Sequence, residues 1–356
     1  MPKRVVLAMS GGVDSSVAAY LLKQQGFEVI GLFMRTGAHS ESDATPSHKK
    51  GCCSALDAGD ARRVADKLDI PFYALDFEQD FEQIIDYFAD EYLAGRTPNP
   101  CVVCNNWLKF GKLWSYGRQL EADYIATGHY ARLTRQDGEA RLCRGADPAK
   151  DQSYVLFGLS RKILPRLLFP IGSFQKDQVR ALARDAGLGV HDKPDSVEIC
   201  FVPDGDHGEF IRRRRPELAT AGHIVDTSGH VLATHDGIEN FTVGQRKGLN
   251  FAAGERRYIL RILPESREVV VGSKEELLSG SLRASRVNWL IDEPACPISC
   301  KAKIRYRHTA ASATVTALPD AGAVVVFAEP QSAITPGQAV VFYDGDLVIG
   351  GGWIEN

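Results

Sequence analysis

The stretch that decides the fold is RVVLAMSGGVDSSVAAYLLKQQ, residues 4–25. The five residues after Arg4 are apolar, which predicts a buried strand, and residues 13–25 have the spacing of an amphipathic helix. Between them, Gly11 and Gly12 permit a tight turn that brings the backbone close to a ligand. The N–H groups that follow, together with the helix dipole, form a cradle for an anion. The stretch therefore predicts a strand, a phosphate-binding loop and a helix.

The alternation of strand and helix continues through the first half of the chain. Further strands are predicted at residues 28–34, 71–75 and 124–131. Further helices are predicted at residues 56–68, 81–93 and 176–186. This order is typical of a parallel α/β sheet with helices on both faces, whose ligand site lies at the carboxyl ends of the strands.

The pattern changes near residue 210, where short alternating strands separated by Gly and Asp turns replace the helices. These strands are predicted at residues 257–263, 268–272, 302–306, 313–317 and 339–343. They indicate a small β-rich central domain and a C-terminal β-barrel. We therefore expect three domains, at residues 1–208, 209–279 and 280–356.

Composition is that of an ordinary globular protein, with 44% hydrophobic and 24% charged residues among 356. No run of eighteen apolar residues predicts a membrane span, and no apolar leader begins the chain, so we expect a cytoplasmic location. The net charge of −3 gives no overall electrostatic reason for nucleic-acid binding. The strongest local basic run, residues 212–215, either contacts tRNA phosphates or is a solvated face.

The glycine loop belongs to neither of two familiar nucleotide-binding classes. It lacks the GxxxxGK[ST] pattern of a Walker loop and the GxGxxG pattern of a dinucleotide site. Ser15 and Ser16 can add hydroxyl donors to the cradle, and Asp14 can orient the loop or approach a metal ion. SGGVDSS, residues 10–16, resembles the loop of the N-type ATP pyrophosphatases, which release pyrophosphate from ATP while adenylating an oxygen.

Further motifs narrow the resemblance. They are GRTPNPC (95–101), CN (104–105), KF (109–110), ATGHY (126–130), KDQSY (150–154), SVEICF (196–201) and TVGQRKGL (242–249). Their order and spacing are similar to those of the tRNA-specific 2-thiouridylases, the MnmA/TrmU family, over nearly the whole chain. The resemblance implies an adenine-nucleotide hydrolase-like α/β domain that uses ATP and Mg²⁺. It also implies adenylation of O2 of the wobble uridine in a tRNA anticodon loop, followed by sulfur transfer.

The resemblance also implies roles for individual residues. ATP-binding positions are Ala8, Met9, Ser10, Gly11, Gly12, Val13, Asp14, Ser15, Met34 and Gly128. Positions for tRNA are Asn99, Pro100, Cys101, His129, Lys150, Asp151, Gln152, Arg305, Tyr306 and Gln338. Catalysis falls to Cys104, Cys200 and Asp14. Met34 as a core residue and His129 as a structural histidine are open alternatives.

Cysteine placement is the second most informative feature, because thiols in a reducing cytosol more often serve catalysis or metal binding than disulfides. In the family, the cysteine matching Cys200 carries a persulfide, and the one matching Cys104 releases its sulfur through a transient disulfide. The immediate sulfur donor is a persulfide carrier or hydrosulfide. Adjacent Cys52 and Cys53 either take part in sulfur chemistry or are structural.

Cys101 departs from the family pattern, in which many members have Asp. With Cys104 and Cys200 it could hold a [4Fe-4S] cluster whose open iron binds hydrosulfide. It could instead contact the substrate base or belong to a structural zinc site.

Two other functions are weighed against thiolation. Another ATP pyrophosphatase, making an amide, amidine or lysidine, would need no cysteine pair. A non-catalytic iron–sulfur or zinc protein that binds RNA would need no SGGVDSS loop. Residues 36–51, rich in Ser, His, Gly and Lys, are expected to form an insertion.

Overall fold

The structure, a computed structural model, describes residues 2–37, 55–195, 199–202, 204–249 and 256–355. Most of the insertion expected at residues 36–51, from position 38 onward, lies outside these ranges, as do Cys52 and Cys53. The chain divides into two compact units. The first is Met1–Ile84, Cys101–Gly205 and Asp346–Val348, and the second is Ile85–Pro100, Asp206–Gly345 and Ile349–Asn356.

The first unit contains a five-stranded parallel sheet in the order β3-β2-β1-β4-β7. Its strands, with the β5–β6 hairpin, are β1 (Arg4–Ala8), β2 (Glu28–Arg35), β3 (Phe72–Asp76), β4 (Tyr124–Thr127), β5 (Ala131–Gln136), β6 (Glu139–Arg144) and β7 (Leu167–Leu168). The helices from the start of the chain to residue 185 are α1 (Val13–Gln24), α2 (Ala55–Lys67), α3 (Glu78–Leu93), α4 (Pro100–Val103), α5 (Leu113–Gln119) and α6 (Lys176–Asp185). A π-helix, Cys104–Lys112, joins α4 to α5.

The central position of β1 explains its continuous apolar run. Val5, Val6 and Leu7 are all fully buried. A strand with parallel neighbours on both sides and helices on both faces has no solvent-facing side, so its sequence does not alternate. Val17, Ala18 and Ala19 of α1 pack in the same core as Val5 and Leu7.

The second unit is mostly β-structure. It contains α7 (His207–Arg214) and a four-stranded sheet in the order β10-β11-β8-β9. The strands of that sheet are β8 (Gly222–Val225), β9 (Val231–His235), β10 (Tyr258–Leu263) and β11 (Glu268–Gly272). A six-stranded barrel follows, with strands β12 (Leu278–Trp289), β13 (Ile298–Lys303), β14 (Ala311–Leu318), β15 (Gly322–Ser332), β16 (Ala339–Asp344) and β17 (Leu347–Ile354). The pairing of β12 with β17 closes the order β12-β15-β14-β13-β16-β17.

The predicted fold class is confirmed: a parallel α/β region comes first, a small β-rich region follows, and a β-barrel ends the chain. Two predicted strands were misplaced. The strand predicted at 124–131 ends at Thr127, because Gly128 turns close against α1, where a Cβ would lie 2.7 Å from the Ser15 nitrogen. The strand predicted at 302–306 ends at Lys303, and a turn closed by the His308 N–H and the Arg305 carbonyl follows it.

The three predicted domain boundaries stay a prediction. Among the described residues, every helix is too short or too polar to span a lipid bilayer.

Candidate active site

The glycine loop lies where ligands bind in open parallel sheets. β1 pairs with β2 on one side and β4 on the other, so the strand order reverses at β1 and leaves a crevice at its carboxyl end. Met34, half-buried, is the penultimate residue of β2, and Gly128 directly follows β4. The predicted ATP positions therefore come from three neighbouring strand ends of one sheet.

Gly11 must be glycine for two independent reasons. Its φ of +72° is in the left-handed region that disfavours side chains. A Cβ at this position would also overlap the Asp57 carbonyl oxygen and lie 2.8 Å from the carbonyl carbon. The first turn of α2 thus packs directly onto the loop.

The loop serines are used within the loop itself. The Ser16 hydroxyl donates to the Gly12 carbonyl at 2.8 Å, and the Ser15 hydroxyl accepts from the Ser10 N–H at 3.2 Å. Gly12 is the N-cap of α1, and the first-turn N–H groups of a helix have no intrahelical acceptor. These groups, rather than the serine hydroxyls, are the donors available to a phosphate.

Asp14, in the first turn of α1, has two partners that were not predicted. Its carboxylate accepts the Tyr130 hydroxyl at 2.7 Å and the Lys176 ammonium at 2.9 Å to each oxygen. Burial, and the charge of Asp14 beside it, raise the pKa of the Tyr130 hydroxyl. Asp14 can therefore approach a metal ion or a phosphate only in competition with Lys176.

Lys176 also binds a second carboxylate, that of Asp195, at 2.8 Å. Asp195 accepts in addition from Lys150 at 2.8 Å and Arg180 at 2.9 Å. Burial raises the pKa of the Asp195 carboxyl, but hydrogen bonds from Lys150 and Lys176 outweigh it and hold the pKa at about 2. Asp195 is therefore a stable anion at the centre of three cations.

Lys193 provides another link to the glycine loop. Its ammonium donates to the Gly11 carbonyl at 2.9 Å, to Asp57 at 2.5 Å and to Asp60 at 2.7 Å. Burial lowers the pKa of Lys193, but the bonds to Asp57 and Asp60 more than offset it, and the net pKa is raised. The charged lysine thus joins the loop to the first turns of α2.

Cys101 and Cys104 lie at a junction of two helix types. Pro100 is the first residue of α4, where the missing N–H of proline costs no hydrogen bond. Cys101 follows it and is exposed, whereas Cys104, half-buried, begins the nine-residue π-helix. π-Helical geometry is rare and is concentrated at functional sites, so this junction marks Cys104 independently of any resemblance.

Cys200 is half-buried in a turn closed by the Val202 N–H and the Ile199 carbonyl at 2.9 Å. Phe201 beside it is buried, and its ring meets that of Phe81 edge-on at 5.7 Å. Asp80, the residue before Phe81, forms a 3.1 Å ion pair with Lys112 at the end of the π-helix. The start of α3 therefore supports both cysteine-bearing segments.

His129 is packed inside the first unit. It is 7% exposed, and its Nδ1 lies 2.7 Å from the Thr127 hydroxyl. Its ring contacts those of Phe110 and Phe169 at 6.0 and 6.1 Å. Burial, with a contribution from Lys109, holds the pKa of His129 well below its usual value, so the ring is neutral. These contacts are those of a structural histidine, and the tRNA contact stays a prediction.

The KDQ segment predicted to contact tRNA is engaged with the protein. Asp151 is buried and accepts from the Gly145 and Ser153 N–H groups, both at 3.0 Å. The Gln152 side chain accepts from the Tyr130 N–H at 2.9 Å. Their tRNA contacts stay predictions, and their observed contacts hold the segment in place.

In the second unit, Gln338 donates to the carbonyls of Thr97 and Pro98 at 3.1 and 2.9 Å, so it holds the segment that ends in buried Asn99 and Pro100. Arg305 and Tyr306 are exposed in the turn after β13.

The basic run at 212–215 forms ion pairs within the same unit. Arg212 and Arg213 pair with Glu209, and Arg214 and Arg215 pair with Asp86. Much of its charge is neutralised locally, and phosphate binding by this run stays a prediction.

A cluster held by Cys101, Cys104 and Cys200 would need three side chains grouped as ligands. Within the described ranges, no three His, Cys, Asp or Glu side chains are grouped so that they could hold a metal ion. The residues as arranged do not fit a cluster, and we derive no step through one.

The interpretation of the sequence missed Tyr130, Lys176, Lys193 and Asp195. Lys176 carried one usable signal: it is the first residue of α6, where a cation opposes the helix dipole. A lysine in such an unfavourable position indicates a specific partner, here Asp14.

Comparison with known proteins agrees with this site. The family profile described as the tRNA methyl transferase HUP domain matches residues 3–204. Those described as the tRNA methyl transferase PRC-barrel domain and the aminomethyltransferase beta-barrel domain match residues 208–273 and 279–354.

Two relatives are both named tRNA-specific 2-thiouridylase MnmA. The protein of Geotalea uraniireducens is 52% identical over 99% of this chain and 95% of its own length. That of Rhodopirellula baltica is 49% identical over 99% of this chain and 96% of its own length. Full-length identity at this level shows the family directly, and this chain belongs to the tRNA-specific 2-thiouridylases.

Proposed function

We propose that this chain is an ATP-dependent tRNA-uridine 2-sulfurtransferase that converts the wobble uridine of tRNA to 2-thiouridine. The observation that carries the proposal is that one compact unit contains both the glycine loop at the carboxyl end of β1 and the segments bearing Cys104 and Cys200. Nucleotide activation and thiol chemistry thus belong to one unit. The names of the full-length relatives supply the substrate class.

In the first step, ATP lies with its phosphates on the first-turn N–H groups of α1. Magnesium ion, beside the phosphates and within reach of Asp14, would offset their negative charge. The uridine O2 attacks the α-phosphorus, pyrophosphate leaves, and O2 becomes adenylated. This step turns an oxygen that leaves poorly into AMP, which leaves readily.

In the second step, the terminal sulfur of a Cys200 persulfide attacks C2, and AMP departs with the original oxygen. The Cys104 thiolate then attacks the Cys200 sulfur, which breaks the S–S bond and leaves the new sulfur on C2. The two cysteines end as a disulfide. An external thiol must reduce this disulfide, and a sulfur donor must reload Cys200, before the next turnover.

The thiolate is the reactive form in both attacks, so two cysteines with different tasks are required. Cys101 stays open as a contact to the substrate base. A cluster ligand or zinc ligand at Cys101 is the alternative that iron and zinc analysis decides.

The test is a thiolation assay on an unmodified transcript of a wobble-uridine tRNA, with ATP, Mg²⁺ and a persulfide-generating donor. We expect 2-thiouridine, AMP and pyrophosphate from the wild type. Cys200→Ser should reduce 2-thiouridine to about a thousandth or less, because an essential nucleophile is removed, yet it should still form pyrophosphate when tRNA is added. Cys296→Ser, at an exposed barrel-region cysteine, is the matched control and should behave as wild type. Thiolation that survives Cys200→Ser would contradict the proposal.

A further inference from the structure

The residues that precede Cys200 are tied to the nucleotide loop by two ion-pair groups. Lys193 bonds the Gly11 carbonyl, and Asp195 bonds Lys176, which in turn bonds Asp14. Gly11 and Asp14 both belong to the phosphate loop. Two residues of one short segment therefore make direct or one-step contacts with the place where ATP phosphates would lie.

The chain limits how far Cys200 can be from these ties. It follows Asp195 by five positions, and five residues span at most about 18 Å even when fully extended. Phe201 and Val202 on its other side are buried, which fixes the far end of the segment. A change in the contacts of Asp195 is thus passed to a short stretch held at both ends.

Lys176 is the point at which the two sites compete. Its ammonium binds both Asp14 oxygens at 2.9 Å and Asp195 at 2.8 Å, and its side chain is only 10% exposed. A lysine has three donors, and here carboxylates take them. Nucleotide phosphate arriving beside Asp14 would be a stronger anion for this buried cation than a carboxylate shared with Lys150 and Arg180.

We propose that Asp195 is a positioning residue that couples nucleotide binding to the reactivity of Cys200. In the empty enzyme, Asp195 holds Lys176, and the segment that leads to Cys200 is kept tied to the loop. When phosphate takes over Lys176, Asp195 loses one of its three cations, and the segment is released for attack by Cys200. The enzyme thereby exposes its sulfur nucleophile when ATP is bound. This inference rests on the proposed function.

The experiment measures the alkylation rate of Cys200 by iodoacetamide, followed by mass spectrometry of the peptide that contains it. The probe is adenosine 5′-(α,β-methylene)triphosphate with Mg²⁺, which cannot be cleaved between the α- and β-phosphates. We expect the analogue to accelerate alkylation of wild-type Cys200 about fivefold or more, the lower end of couplings between linked sites. Exposed Cys296 is the internal reference and should not respond.

Asp195→Asn should remove the response. Its Cys200 should be alkylated rapidly with or without the analogue, while analogue binding measured by calorimetry is retained. Asp195→Glu, which restores the charge, should recover part of the response. Asp192→Asn is the matched control, because Asp192 is in the same segment but is 82% exposed and pairs with His191. It should respond as the wild type does.

Several results would overturn the proposal. An Asp195→Asn variant whose Cys200 still accelerates with the analogue as in the wild type excludes Asp195 as the coupling residue. A wild type that thiolates tRNA and binds the analogue, but whose Cys200 rate is unchanged, excludes the coupling and leaves the function intact. A wild type that neither binds nucleotide nor thiolates tRNA removes the function on which the coupling rests. Thermal unfolding of each variant separates these outcomes from misfolding.

Discussion

Gly11→Ala tests the close packing of α2 on the phosphate loop. Two terms add at this position. A non-glycine residue in the left-handed region costs about 1–2 kcal/mol. The new Cβ must also push the Asp57 carbonyl away, since it would lie 2.8 Å from the carbonyl carbon. Overpacking of this kind costs about 1–3 kcal/mol. We therefore expect a local destabilisation of about 2–5 kcal/mol.

Gly138→Ala separates the two terms. Gly138 has a φ of +81°, and a Cβ there would meet no atom within 4 Å. It carries the backbone strain of Gly11 without the overlap, so we expect about 1–2 kcal/mol. The difference between the two variants measures the contact between the loop and α2.

The assay should be local, because a chain with two compact units is not expected to unfold in one step. Hydrogen exchange of the α1 amides reports the stability of the loop region. Nucleotide binding by calorimetry reports the cradle, and a loss of about tenfold or more should accompany Gly11→Ala, equivalent to about 1.4 kcal/mol. Equal destabilisation by the two alanines, with unchanged nucleotide affinity in Gly11→Ala, would refute the packing described for Asp57.

Three further predictions concern other parts of the enzyme. Because burial holds the pKa of His129 below its usual value, its contribution to stability should be complete above about pH 6.5 and shrink at lower pH, where the unfolded chain binds a proton that the folded ring does not. Urea midpoints of wild type and His129→Asn at pH 5.5 and 7.5 measure this, and a pH-independent difference would contradict it. Cys104→Ser should accumulate a conjugate in which Cys200 is joined to tRNA through two sulfurs, seen as a gel shift that dithiothreitol reverses; free 2-thiouridine at the wild-type rate would exclude the role of Cys104. Gln338→Ala removes the donor to Thr97 and Pro98 and should weaken tRNA binding about fivefold to tenfold, given about 1 kcal/mol per hydrogen bond, with ATP affinity unchanged. Gln331→Ala, which removes a bond to Glu329 in the same unit, is its control, and equal tRNA affinity in the two variants would show that Gln338 has no special role.

Local patterns were sufficient to predict the sheet and the loop. Apolar β1, the two glycines and the helical spacing of α1 all lie within 22 consecutive residues, and each signal depends only on near neighbours. The barrel strands were predicted for the same reason. The failure at 124–131 is instructive, since the apolar run is local but the approach of Gly128 to Ser15 is not.

The charged network could not be predicted in the same way. Lys193 and Gly11 are separated by 182 positions, and Lys176 and Asp14 by 162. Single lysines and aspartates are common on surfaces, so nothing in their local sequence pairs them. The π-helix was likewise read only as a helix-like segment, because the extra residue in each turn leaves the apolar spacing close to that of an α-helix.

The central claim, that sulfur reaches uridine from Cys200, is tested most directly by a single turnover with enzyme loaded as the persulfide. The loaded protein is freed of donor, analysed for iron and mixed anaerobically with ATP, Mg²⁺ and tRNA. The account predicts one 2-thiouridine and one Cys104–Cys200 disulfide for each persulfide consumed, in a preparation without iron. Product that scales with bound iron and disappears in Cys101→Ala, with no disulfide formed, would contradict it.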